Sequence, residues 1–311
     1  MFRAIIPILL LTLSALVSPA FAQWGQNIPQ EIRESYLEPN QVLSETPCDW
    51  RQKVQGIFAP AVKHCTTARE AVMHIAANMT QLTGTYYSAK RRKQDMNALE
   101  ALEEKKISCT GQTILMVCAF RSIGIPARAV GIPTWNHVRG NHTWPEVWLD
   151  GEWQMIEFNE KDFNTGWVME NIGMLDASNI WQRIVAQNPK GDMIFPVGDM
   201  LRNNIAAEDV TERYTELAAQ WYSKNGLPAD RQRLLLDLHP RAEEAQMVKL
   251  VDETGAILEE QPLPTTRDDM RKFATFSLPR KGLHYLIFPG NQAFPIQATE
   301  APVNVLRLKR R

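Results

Sequence analysis

The sequence has almost no net charge: 34 Lys and Arg stand against 35 Asp and Glu in 311 residues. No whole-chain field is available to gather nucleic acid or an anionic lipid surface, so neither is an expected partner. Beyond residue 17 no apolar run approaches the ~18 residues that a membrane helix needs, so no stable insertion is expected of the mature chain. Cysteine and histidine are few and never fall into C-x-x-C or H-x-x-x-H pairs, which argues against a metal centre. The chain has no P-loop and no dinucleotide fingerprint, so no cofactor is expected. No internal repeat or low-complexity tract is visible, which excludes a solenoid. What is left, at 44% hydrophobic and 22% charged, is the composition of a globular protein, not of collagen, coiled coil or a disordered chain. The short basic runs at residues 90–93 and 309–311 read as solvated surface and a loose tail.

The N-terminus has a pattern of its own. Met1-Phe2-Arg3 carries one positive charge, residues 4–17 are mostly apolar, and Ser18-Pro19-Ala20-Phe21-Ala22 ends in an A-x-A site. These are the three regions of a secretory signal, with cleavage expected after Ala22. The mature protein is therefore expected to be secreted or periplasmic. Disulfides are then possible among Cys48, Cys65, Cys109 and Cys118. Cys109 and Cys118 lie nine residues apart on one expected helix. That spacing puts their Cα atoms roughly 13 Å apart on opposite faces, where a disulfide needs less than about 7 Å. The expected bridge is Cys48–Cys65, which leaves Cys109 free.

Periodicity divides the rest. Residues 23–64 are Pro-punctuated and read as a wrapping segment with short helices. Helical spacing runs over residues 67–83, near 97–104, and from Cys109 to about Ile123, where Gly124 and Pro126 stop it. The pattern then changes to strands over 127–132, 141–149 and 152–158, the last two joined by Asp150-Gly151, a strong hairpin signal. Helical spacing returns around 206–225, and short strands follow from about residue 231. The expected fold class is α+β, with helices on one face of an antiparallel sheet and a small C-terminal all-β module. The expected domains are a catalytic unit over 65–200, a helical connector over 201–234 and a β-rich, sandwich-like domain over 235–311.

The chemistry centres on Cys109. A cysteine opening a helix sits among unpaired N–H groups at the positive end of the dipole, which favours thiolate and offers donors to an oxyanion. A thiol nucleophile needs a base, and the base needs an orienting group. His142 opens the strand H-T-W-P-E-V-W-L. With a two-residue turn, paired residue numbers in the hairpin sum to 301. His142 then faces Asn159, and Glu157 lies diagonal to it on the same face. The third member is expected to be Glu157 first, Asn159 second and Glu160 a weak third. Six of the nine tryptophans fall between residues 135 and 181. Trp135 and Trp144 flank the histidine strand and are expected to wall a substrate cleft, with residues 135–141 as a specificity loop. The remaining histidines show no comparable partner.

These residues carry a resemblance. S-C-T-G from Ser108, R-S-I-G-I-P-A-R over 121–128, H-T-W-P-E-V from His142, and Trp153 after the turn are similar to the transglutaminase-like core, over about residues 65–170. The resemblance implies a papain-related α+β fold and an exported bacterial type of thiol enzyme. Cys109 would be its nucleophile and His142 its general base and acid. Glu157 stands where the family usually has Asp, four residues after the tryptophan. Glutamate is longer by a methylene, so the alternative that the resemblance implies is an orienting role for Asn159, as Asn serves in papain-like enzymes. The implied activity is attack on a peptide or carboxamide carbonyl through a thioester, on a peptide or protein substrate. Hydrolysis is favoured over protein-glutamine crosslinking. The alternative from another class is a catalytically weak module that binds peptide or cell-wall material.

Overall fold

The computed structural model describes residues 24, 27–135, 140–176, 178–195, 203–266 and 273–309. The expected signal segment and residues 136–139 of the expected specificity loop lie outside them. In chain order come α1 (Gln30–Tyr36), α2 (Arg51–Ala61), α3 (Ala68–Ala77), α4 (Met79–Thr83), β1 (Tyr86–Tyr87), α5 (Ala98–Glu104), β2 (Lys106–Ile107) and α6 (Cys109–Ser122). Next are β3 (Ala127–Ile132), β4 (His142–Leu149), β5 (Glu152–Met155), α7 (Gly166–Ile172), β6 (Val185–Gln187), β7 (Met193–Ile194), β8 (Ala206–Asp209) and α8 (Thr211–Lys224). The chain ends in β9 (Arg231–His239), β10 (Met247–Val251), β11 (Ile257–Pro262), β12 (Ala274–Pro279), β13 (His284–Phe288), β14 (Gln292–Ile296) and β15 (Val303–Lys309).

Local chemistry sets the boundaries. Thr67–Glu70 and Asn97–Glu100 form capping boxes that start α3 and α5. The helix expected over 67–83 breaks at Asn78, whose side chain donates to the His74 carbonyl at 2.8 Å. Helix α6 closes in a Schellman motif: Ile125 N–H bonds the Phe120 carbonyl at 3.0 Å and Gly124 N–H the Arg121 carbonyl at 3.2 Å. Gly124, at φ 87°, supplies the left-handed residue that this motif requires. Asp150 and Gly151 have φ 55° and 88°, so the β4–β5 turn closes as the dipeptide predicts and Leu149 faces Glu152.

The central sheet has the order β5-β4-β3-β6-β8-β7, with antiparallel pairs throughout. It is covered on both faces, not one. Ala127, Ala129, Val147 and Leu149 join the core with α2, α3, α5 and α6. On the other face Val130, Ile132 and Trp144 pack against α7 and α8 through Val168, Ile172, Tyr214 and Ala218. Strand β3 is buried along its whole length, which is why its sequence lacks alternation. Strand β8 falls inside this sheet and α8 packs on it, so the segment expected to be a connector is part of the core. The C-terminal strands form two sheets, β11-β10-β13-β14 and β12-β9-β15, which bury Leu234, Leu236, Leu250, Phe276 and Leu286 between them.

One covalent expectation is corrected. All four cysteines are free, Cys48 and Cys65 included. They flank opposite ends of α2, whose eleven residues span about 16 Å. Cys48 accepts a hydrogen bond from Leu99 N–H, whereas Cys65 sits near Glu70 of α3, so α2 acts as a spacer between them.

Candidate active site

Helix α6 crosses β3 and β4, which brings its N-terminus against the start of β4. Ser108 caps it: the hydroxyl accepts from Gly111 N–H at 2.9 Å and donates to the Gln94 carbonyl. Thr113 Oγ1 donates to the Cys109 carbonyl at 2.9 Å, and Thr110 and Thr143 hydroxyls meet at 3.3 Å across the helix–strand contact. The Cys109 thiol is thereby held at the helix tip, half-buried, where the Cys109 N–H lies outside the helical ladder.

Cys109 hydrogen-bonds the His142 ring and receives the Thr143 backbone N–H. His142 Nε2 faces both oxygens of Glu157 at 3.3 Å, which leaves Nδ1 to serve the thiol. Burial pushes the Cys109 thiol up, but the His142 hydrogen bond and charge, with the Thr143 N–H, outweigh it and hold the thiol below its ordinary value. For His142, burial acts downward, and the Glu157 charge and the two hydrogen bonds overcome it, raising the ring to about 10. The two shifts oppose each other in the direction that favours a thiolate–imidazolium pair.

Glu157 reaches His142 because the hairpin ladder stops. Met155 is the last residue of β5. Beyond it Ile156 N–H donates to the Pro145 carbonyl at 3.4 Å, but Pro145 has no N–H to return the bond. Strand β4 is internal, between β5 and β3, and the proline ends its pairing on the β5 side. The released segment loops back, with Asn164 Oδ1 accepting Met155 N–H at 3.1 Å. Within it, Asn159 turns away from His142. Its amide brackets Thr80, accepting the backbone N–H at 3.1 Å and donating to the hydroxyl at 2.9 Å, while Asn159 N–H bonds the Ala76 carbonyl at 2.9 Å. The third-member alternative at Asn159 is thus a clamp on the loop, because register arithmetic does not extend past a ladder that has ended. The Glu160 carboxylate lies against Gly166 at the start of α7.

The aromatic expectation also changes. Trp144 is fully buried and stacks on His142, with centroids 5.7 Å apart and planes 28° apart. Trp135, also buried, stacks on Trp144 at 6.2 Å. Neither walls an open cleft; both back the imidazole from inside the core. The tryptophan that meets both ring and solvent is Trp167, 40% exposed and edge-on to His142 at 5.1 Å. Its place in the tryptophan-rich stretch is the signal that pointed to it, but only the fold separates it from its buried neighbours.

A second carboxylate on β4 is fully enclosed. Glu146 pairs with Arg128 at 2.9 Å and with Arg213, and accepts the Tyr214 hydroxyl at 2.7 Å. Tyr214 in turn accepts Trp144 Nε1 at 2.7 Å, so this network fixes the indole under His142. Burial raises the Glu146 carboxyl, but the two arginines hold it below the ordinary range. Among the described residues no three His, Cys, Asp or Glu side chains gather in a way that could hold a metal ion.

Residues 56–158 match the transglutaminase-like superfamily. No curated protein matches the chain in sequence. Among solved structures, a candidate cysteine protease from Cytophaga hutchinsonii is similar at 15% identity and a TM-score of 0.37, over 43% of this chain and 44% of its own. A structure described as a TGase is similar at 17% identity and a TM-score of 0.28, over 34% of this chain and 30% of its own. Red sea bream transglutaminase is similar at 12% identity and a TM-score of 0.43, over 88% of this chain and 64% of its own. The chain spans less than two thirds of the length of each of these proteins.

Proposed function

We propose that this protein is an exported thiol enzyme, a reading supported by the match of residues 56–158 to the transglutaminase-like superfamily. It breaks amide bonds through a thioester on Cys109, with water as the favoured acceptor. The observation that carries this is one line of contacts: the Cys109 thiol on the His142 ring, and His142 Nε2 on Glu157 at 3.3 Å.

The chemistry follows from that line. The Cys109 sulfur attacks the carbonyl carbon of a peptide or carboxamide group, and the charge that forms on oxygen is met by N–H groups at the α6 tip. His142, held cationic by Glu157, gives its proton to the nitrogen as the C–N bond breaks, and the amine leaves. His142 then takes a proton from water, the hydroxide adds to the thioester, and the acid departs as the thiol is restored. The His142 and Glu157 side chains keep 14% and 19% of their surface, so solvent reaches the base from outside. That access supports hydrolysis over transfer to a lysine amine.

The test is a peptide panel containing internal glutamine, incubated with and without methylamine. A transient acyl adduct on Cys109 by mass, resolving to acid product even with amine present, is expected. Dominant amide product would overturn hydrolysis in favour of transamidation. Sequencing the N-terminus of the exported protein tests cleavage after Ala22.

A further inference from the structure

Trp167 belongs to two places at once. One edge of its indole meets the His142 ring, and it also lines an open groove of about 330 Å³ between α7 and the sheet β12-β9-β15. The C-terminal module makes half of that groove because β9 has two working faces. Leu234 and Leu236 point into the β core, so Arg233 and Leu235 point outward, toward the catalytic side. Thr275 of β12 pairs with Leu235 and adds to the same wall.

Three groups in the groove ask for a ligand of one kind. Arg233 has its guanidinium 5.2 Å from the centre of the Tyr222 ring, and among the described residues no carboxylate pairs with it. Tyr222 is itself fixed, its hydroxyl donating to the Glu170 carbonyl at 2.8 Å, so the cation rests on a rigid platform. Asn171 is 2% exposed; its Nδ2 donates to the Trp167 carbonyl at 2.5 Å, yet Oδ1 is buried with no partner among the described residues. A buried acceptor left unmet in this way calls for a donor. Glu170, on the α7 wall, adds a second acceptor. A free cation on one wall, acceptors on the other and an aromatic edge beside the reacting histidine match a peptide end, which carries a carboxylate, N–H donors and side-chain surface.

We infer that this groove is a substrate subsite, built jointly by α7 and the C-terminal β module, that takes the carboxylate-bearing end of a peptide. Arg233 binds the carboxylate and Asn171 Oδ1 accepts a backbone N–H, while Trp167 connects the bound end to His142. The inference rests on Cys109 and His142 as the reacting centre.

The test uses the full chain with Cys109→Ala, so that nothing turns over. Fluorescein-labelled Ala-Ala-Gln-Ala-Ala is titrated by anisotropy as the free C-terminal acid and as the C-terminal amide. The acid is expected to bind about tenfold tighter, the scale of one charge-assisted contact. Arg233→Gln should erase the preference, Arg233→Lys should restore part of it, and Thr275→Glu should weaken the acid alone. Equal binding of acid and amide, no binding of either, or a preference that survives Arg233→Gln overturns the subsite. Cys109 alkylation, read in otherwise native protein carrying Arg233→Gln, separates the two ideas. An ordinary thiol profile there and in the parent sinks the thioester chemistry, while a carboxylate preference that depends on Arg233 would still stand.

Discussion

Two glutamates within the β4–β5 hairpin segment, Glu146 and Glu157, sit in opposite circumstances. Glu146 is sealed, with two arginines and a tyrosine hydroxyl on its oxygens. Glu157 is half-buried and, among the described residues, its carboxylate bonds the ring of His142, shared between both oxygens at 3.3 Å. The first arrangement is saturated and cannot change protonation without breaking the fold. The second has spare valence, contact with solvent and a partner whose proton it controls. Burial alone therefore does not mark a functional carboxylate; an incompletely satisfied one next to a titrating group does.

The sharpest break in this comparison removes the group that Glu157 serves indirectly. Cys109→Ala should lower turnover about a thousandfold or more with little change in the thermal midpoint, as for other members of a nucleophile–base unit; steady-state rates and a melting curve check it. Glu146→Ala should do the reverse, destabilising by about 3–5 kcal/mol because buried Arg128 and the Tyr214 hydroxyl lose their shared carboxylate and Arg128 keeps only Glu208, read by denaturant unfolding. Its sign with pH is fixed: the Glu146 carboxyl lies below its ordinary 4.5 in the folded chain, so its contribution is present above that value and is lost as pH falls through the folded value. Acid unfolding of Glu146→Gln should lack that part of the dependence.

Glu157→Gln should reduce kcat about a hundredfold, the scale of an oriented acid–base group, while leaving stability nearly intact. Because the Glu157 charge helps raise His142 to about 10, the alkaline limb of the rate profile should retreat toward the ordinary imidazole value of 6.5. The smallest effect is expected at the clamp. Asn159→Ala should cost about 1 kcal/mol in stability for the lost amide contacts and slow turnover a few-fold, by loosening the loop that carries Glu157.

How much of this the chain made legible depends on the range of the interaction. The α6 boundaries, the Asp150-Gly151 turn and the start of β4 at His142 follow from local signals, and the structure has them within a residue. Glu157 was legible for a less direct reason: hairpin arithmetic put it on the face of His142, but the contact comes from the ladder ending at Pro145. Asn159 was misplaced by carrying that arithmetic two residues too far. The second covered face of the sheet is not legible because α7 is only seven residues long and the helical spacing around 206–225 does not say which sheet it covers. Trp135 and Trp144 look the same in sequence as Trp167, and only packing tells a core indole from one at the surface. Arg233 carried no signal, since its setting depends on how the outer face of β9 meets α7.

The central claim is that Cys109 and His142 form a poised ion pair, and alkylation tests it most directly. The rate of Cys109 labelling by iodoacetamide is measured against pH in the purified protein, read by peptide mass, with His142→Ala alongside. The account predicts fast labelling well below pH 8 that is lost in His142→Ala. Slow labelling with an ordinary thiol profile, unchanged by the histidine substitution, would contradict it and leave the cleft as a binding module.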